Sequence, residues 1–249
     1  MITHKRRARL QEARLRPIRM VMMETYTRQA AQNVTVHDDP DARELLHRAF
    51  ERTSRWRADF AGFSAALVVN DNGVEHRGTV QVTLPRSIDV TVAEPDVQQW
   101  AQQQLAMMAG HRGYRTFDQA DGKYSLTLGP EDAHPLGRLV YIHGDGMNSR
   151  YRVRDERICQ IQRAMERVKF TINIEDTMTT PDDKVLTTRF TVYYFAPSTG
   201  QLTQVESFVD DYCEVGGVVL PRARRVTFAD NGEARVREVI LSEHVVHTA

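Results

Sequence analysis

Cysteine is nearly absent: in 249 residues only Cys159 and Cys213 occur. Two thiols cannot build the multi-bridge framework of a small secreted scaffold, and a chain of this length needs none, since it buries roughly 70–75% of its unfolded surface. They read as small buried hydrophobes in a reducing compartment, with one bridge as the alternative. Long apolar runs are missing too; none reaches the roughly 18 residues of a membrane-spanning helix. Formal net charge is +0, a balance that conceals an asymmetry.

Residues 1–36 carry Lys5, Arg6, Arg7, Arg9, Arg14, Arg16, Arg19 and Arg28 against Glu12 and Glu24, a net of +6 that leaves −6 on the remainder. A secretory signal places an apolar core of about 7–15 residues behind a basic start; here Arg14, Arg16 and Arg19 interrupt every candidate. Residues 1–37 are therefore expected to form a disordered, solvated tail ahead of a single domain over 38–249, and the protein is expected in the cytoplasm. Counterion release on phosphate is the other use of such a tail. Tyr26 is the one aromatic it offers to a base, so no nucleic-acid partner is expected. Peripheral contact with anionic lipid through this basic start stays open, as do translation starts at Met20, Met22 or Met23. Oligomeric state is not legible.

Catalytic signatures are also lacking. There is no Gly-x-Ser-x-Gly elbow and no phosphate-loop lysine. Gly144-x-Gly146 lacks the third glycine and following helix of a dinucleotide site. Glu206 and Asp210 share a strand face, but four residues separate them by roughly 13–14 Å, wider than the about 5–9.5 Å of glycosidase carboxylates. His244 and His247 point to opposite faces of a strand and cannot share a metal. Neither cysteine has a histidine near it in sequence. No cofactor and no metal are expected.

What the chain does contain is alternation. About thirteen short stretches alternate apolar and polar residues, and Asn72-Gly73, Asp121-Gly122, Asp145-Gly146 and Asn231-Gly232 sit between such runs as type I′ hairpin turns would. Two helices interrupt them. The first is expected over 41–56, with Asp38, Asp39 and Asp41 at its N-terminus and Leu45, Leu46, Ala49, Phe50 and Trp56 at helical spacing. Pro95 opens the second, over 94–108, with a stripe of Val97, Trp100, Ala101, Leu105 and Met108. The fold class is α+β, mostly antiparallel β: a strongly curved sheet or open barrel wrapped around two amphipathic helices. The strands at 138–143 and 190–195 are apolar on both faces, so they are expected to be covered twice or to line a cavity.

Ala42-Arg-Glu-Leu-Leu-His-Arg-Ala-Phe50, Phe60-Ala-Gly-Phe63 and Gly78-Thr-Val-Gln-Val82 resemble the opening of a domain-of-unknown-function family of photosynthetic bacteria. Its later part is matched by His111-Arg112, Arg150-Tyr-Arg-Val153, Tyr193-Tyr194 before Pro197 and Gly200, Tyr212, Val215-Gly-Gly and Leu220-Pro221, so that the resemblance covers about 40–229. More distantly, the helix, the strand meander and the late Gly-Gly-Val-Val-Leu-Pro turn are similar to the LolA and LolB lipoprotein carriers. That resemblance implies an open barrel closed by helices, with an apolar cavity for acyl chains.

Tyr141 and His143 share a strand face, and Arg150 is expected opposite on the partner strand. The three can meet at a cavity rim, to hold a carboxylate or phosphate head group or to act as acid and base; a polar hairpin end is the plainer account. His111 and Arg112 close the second helix, where cations offset the dipole. With Trp100, Arg112 joins Tyr141, His143 and Arg150 as a candidate ligand contact. The leading expectation is a non-catalytic carrier of an apolar or amphipathic small molecule. A cofactor-free isomerase, cyclase or dehydratase using His143 or His111 with Tyr141 is the second. The third is an interaction scaffold whose interior is filled by Trp56, Phe60, Phe63 and Trp100.

Overall fold

Half-buried strands need neighbours on both edges, so a run of them joined by tight turns collapses into one antiparallel sheet. A computed structural model, which describes residues 36–85 and 87–248, shows that sheet with twelve strands. In chain order the elements are α1 (Pro40–Arg52), β1 (Phe60–Asp71), β2 (Val74–Thr83), β3 (Ser87–Thr91), α2 (Pro95–Arg112), β4 (Ser125–Leu128), β5 (Arg138–His143), β6 (Arg150–Arg154), β7 (Arg157–Ala164), β8 (Lys169–Thr179), β9 (Val185–Phe195), β10 (Leu202–Val215), β11 (Val218–Asp230) and β12 (Glu233–Thr248), with a 3₁₀ turn, Asp121–Lys123, before β4. Spatial order is β3-β2-β1-β12-β11-β10-β9-β8-β7-β6-β5-β4. The last strand inserts beside the first, and the sheet curves around both helices without closing, with β3 and β4 as its edges. Expectations about the basic tail fall on residues 1–35, outside the described residues.

Asp39 caps α1, its side chain accepting from the N–H groups of Asp41 and Ala42, while its own N–H donates to the Leu126 carbonyl at 2.8 Å and so ties the helix to β4. Ala42, Leu46, Ala49 and Phe50 are buried, and the helix packs on β4, β6 and β7. It ends at Arg52, short of the expected residue 56, because Thr53 turns extended, donates its N–H back to Phe50 O and bridges Val185. Trp56 therefore lies on a segment crossing the sheet, its N–H donating to Arg112 O at 2.7 Å and its indole to Val219 O at 3.0 Å. α2 runs past the expected residue 108 to Arg112 and packs on β3 and β1.

Asn72-Gly73 and Asn231-Gly232 carry the paired positive φ angles of hairpin turns. Asp121-Gly122 does not; it forms the 3₁₀ turn instead of a hairpin. Asp145-Gly146 sits in a longer connection between β5 and β6, in which φ is positive at Gly144, Gly146 and Asn148 but not at Asp145. Asp155-Glu156 makes a turn with both φ angles positive and no glycine, which the composition of the segment conceals.

The space beneath α2 is filled: Trp56, Phe60, Phe63, Leu67, Val80, Val82, Val97, Ala101 and Leu105 pack as one cluster. A second cluster beneath α1 joins Leu46, Phe50, Phe117, Leu126, Val140 and Tyr151. Only one face of β5 belongs to it. Val140 and Ile142 are buried while Leu139, Tyr141 and His143 remain half-buried on the other side, which corrects the expectation of a doubly covered strand.

Candidate functional site

Directly paired residues of an antiparallel sheet share a face, so the register identifies what lines the concave side. Ile161, Ile172, Val192, Glu206 and Phe228 form one cross-strand row from β7 to β11. Arg163, Phe170, Tyr194 and Gln204 form the next, and Ile174, Phe190, Phe208, Val226 and Arg237 a third. Their face is the one that bears both helices, since Ile161 packs with the α1 cluster and Trp100 of α2 packs against the cluster of Val192, Phe208 and Val226. Between the helix seats, Phe170, Ile172, Phe190, Tyr194 and Phe228 stay half-buried around a core of Val192, Phe208 and Val226. Phe190 and Phe208 stack with ring centroids 4.5 Å apart. The result is a partly open apolar floor.

Polar groups are set into this floor. The Tyr194 hydroxyl donates to Glu206 Oε2 at 3.1 Å and Gln204 Nε2 to Oε1 at 2.9 Å; burial raises both the Glu206 carboxyl and the Tyr194 phenol from their usual values. Toward α2, Arg224 forms a two-pronged pair with Asp210, Nε–Oδ1 and Nη2–Oδ2 both at 2.7 Å, with its guanidinium flanked by Phe190 and Phe208. Arg112 lies between Trp56 and Tyr212 with its Nη2 donating to Val219 O at 3.3 Å; burial lowers its affinity for the proton to about 10, and Nε and Nη1 have no acceptor. Solvent still reaches His111, yet its surroundings on the concave side disfavour charge, first by desolvation and then by Arg224, Arg115 and Arg163.

The candidates read from sequence separate into two groups. Tyr141 and Arg150 are register partners with the guanidinium carbon 5.2 Å from the ring centroid, and the Tyr141 and His143 rings are 6.1 Å apart, so these three do meet. They meet on the outer face, opposite α1; His143 Nε2 lies 2.9 Å from Thr127 Oγ1 there, and burial lowers its basicity. Trp100, His111 and Arg112 belong to the concave side. Tyr141 and His111 are thus on opposite sides of the sheet and cannot act on one substrate, because a strand alternates its side chains.

Glu206, Tyr194 and the Phe170–Phe190 floor were not among the candidate contacts read from sequence; the two-sided apolarity of the strand at 190–195 was the available signal. Cys213 also has a histidine in space that sequence distance hid. His244 Nε2 donates to Pro221 O at 2.9 Å, which leaves Nδ1 as an acceptor 4.0 Å from the Cys213 sulfur. Burial raises this thiol, the opposite of what a nucleophile needs. Both cysteines are free, and no group of three metal-ligating side chains occurs among the described residues. A cleft of about 480 Å³ lies on the outward side of α2, lined largely by Gln98, Gln99, Gln102 and Gln103, and differs in character from the apolar floor.

An open curved sheet holding two helices, with an aromatic floor between them, defines the class to which the molecule belongs. The chain is a member of the DUF3386 family, proteins of unknown function, whose family model matches residues 37–246. Among solved structures it is similar to a LolA superfamily protein from Nitrosomonas europaea, at 13% identity and a TM-score of 0.37, over 84% of this chain and 94% of that one. It is also similar to a putative outer membrane lipoprotein-sorting protein domain from Vibrio parahaemolyticus, at 8% identity and a TM-score of 0.34, over 84% and 93% of the two chains. No curated protein matches.

Proposed function

We propose that this protein binds an apolar or amphipathic small molecule on the concave floor between α1 and α2 and carries it without chemical change. The observation that supports this reading is the half-buried state of Phe170, Ile172, Phe190, Tyr194 and Phe228 where the sheet passes between its helices. Contiguous apolar surface of this kind is uncommon on a protein without a partner for it, and concave apolar surfaces with a few placed polar groups are what small-molecule sites are made of. Two unpaired thiols agree with a reducing, intracellular setting, and among the described residues no helix is long and apolar enough to cross a membrane.

The filled core under α2 favours a second reading, an interaction scaffold, because Trp56, Phe60 and Phe63 occupy the space that a deep cavity would need. Titration with a fluorescent amphiphile separates the two. The carrier binds one probe per chain, and Phe190→Asp lowers that affinity at least tenfold while Tyr141→Phe on the outer face leaves it unchanged. Equal binding by wild type and Phe190→Asp, or binding by neither, removes the carrier reading.

A further inference from the structure

Three arginines gather at one end of the concave floor from three separate parts of the chain. Arg55, on the segment leaving α1, lies 3.5 Å over the Phe50 ring and donates through Nη1 to Phe50 O at 2.6 Å. Arg115, just past α2, donates through Nη1 to Gly110 O at 2.7 Å. Arg163 stands on β7 beside Phe170 in the second floor row, with its Nη2 3.3 Å from the buried Tyr151 hydroxyl. Each is held by a neutral oxygen, and none has a carboxylate within ion-pair distance among the described residues. Nε of Arg55 and Nε of Arg163 are buried without an acceptor.

The carboxylate that all three guanidinium groups act on is Asp121, at the 3₁₀ turn, reached by the Tyr151 hydroxyl at 3.5 Å, while Glu51 acts on Arg55 as well. Burial raises that carboxyl, and the desolvated Arg55 is weakened to about 10, first by burial and then by Arg115. Three fixed cations set against Asp121, with Glu51 acting on Arg55 alone, still leave an excess of positive charge on the protein's inner side. Cations removed from water without counter-charges are costly to hold, and guanidinium groups pair best with carboxylate or phosphate oxygens.

We propose that Arg55, Arg115 and Arg163 receive the anionic head group, carboxylate or phosphate, of an amphiphile whose apolar chain lies on Phe170, Tyr194 and Phe190. This rests on the carrier reading above and specifies its ligand class. Arg163 links the two halves, since its backbone belongs to the floor row while its guanidinium points to Tyr151 and the Asp121 turn. The head group supplies the acceptors that Arg55 and Arg163 lack, and the floor supplies contact for the chain.

The test compares dodecanoate, dodecyl phosphate and dodecanol as displacers of a neutral fluorescent probe from the full chain, with inorganic phosphate as a head group lacking a chain. At least one anionic amphiphile binds about tenfold or more tighter than dodecanol, the scale of one charge-assisted hydrogen bond. Arg163→Gln and Arg115→Gln each remove most of that preference, lowering affinity for the anionic amphiphile far more than for dodecanol. Arg115 is half-exposed and bonded to one carbonyl, so its variant keeps the fold if Arg163→Gln does not. Equal binding of anion and alcohol, or a preference that survives both substitutions, overturns the head-group proposal and leaves the carrier standing. Binding of none of the three amphiphiles overturns both. An arginine-dependent rise in Tm with inorganic phosphate and no displacement by either anionic amphiphile overturns the proposal in favour of a free-anion site.

Discussion

Arg224 and Asp210 are 5% and 2% exposed, and their partnership shows how much one residue can decide in this sheet. A buried pair adds little over well-packed apolar residues, but a lone buried charge is expensive. Arg224→Leu is expected to destabilise the protein by about 3–5 kcal/mol, and adding Asp210→Leu to it should recover a substantial part; chemical denaturation of the single and double variants measures both. His111 tests the charge around it. Its folded form resists protonation, so between the ordinary histidine range and the lowered value the unfolded chain binds more protons, and stability falls as pH falls through that window. His143 is lowered too and adds to the slope in the same direction. Stability measured from pH 7 to 5 should therefore decline less steeply in His111→Gln than in the wild type, and parallel curves would remove His111 from the account.

At the scale of elements, α1 depends on a cap that serves two structures at once. Asp39 accepts from Asp41 N–H at 2.9 Å at the helix start and from Leu128 N–H at 3.3 Å on the edge strand β4, while neighbouring Asp38 accepts from Leu126 N–H at 2.9 Å. Asp39→Ala is expected to cost about 1–2 kcal/mol and to loosen β4 together with α1, which hydrogen exchange at the β4 amides detects. The sequence showed this helix start, because three aspartates before an apolar stripe have few other uses. It did not show where α1 stops. Trp56 continues the helical spacing, and only the competing pairing of Thr53 with β9 and the indole bond to Val219 remove it from the helix.

At the scale of the molecule, the sheet joins two packed ends through a less covered middle. A ligand lying on that middle touches β8, β9 and β10 and contacts the α2 side through Trp100, so it stabilises the whole unit rather than one strand. At a free concentration one hundred times its Kd, a ligand of the folded state raises the unfolding free energy by about 2.7 kcal/mol. An amphiphile that binds on the floor should produce that gain in a single cooperative transition, and an unchanged transition under saturation would count against binding there.

Local chemistry, present in the sequence, determined the antiparallel ladder and the two helices, because alternation, capping carboxylates and turn residues act over a few positions. Which side of a strand faces inward, and which distant arginines share a space, were decided only by tertiary structure. Strand periodicity and register brought Tyr141, His143 and Arg150 together as read, but only the tertiary structure placed them on the outer face. Arg55, Arg115 and Arg163 carry no motif at all; they become neighbours only because both helix ends and β7 converge on the same face of one curved sheet.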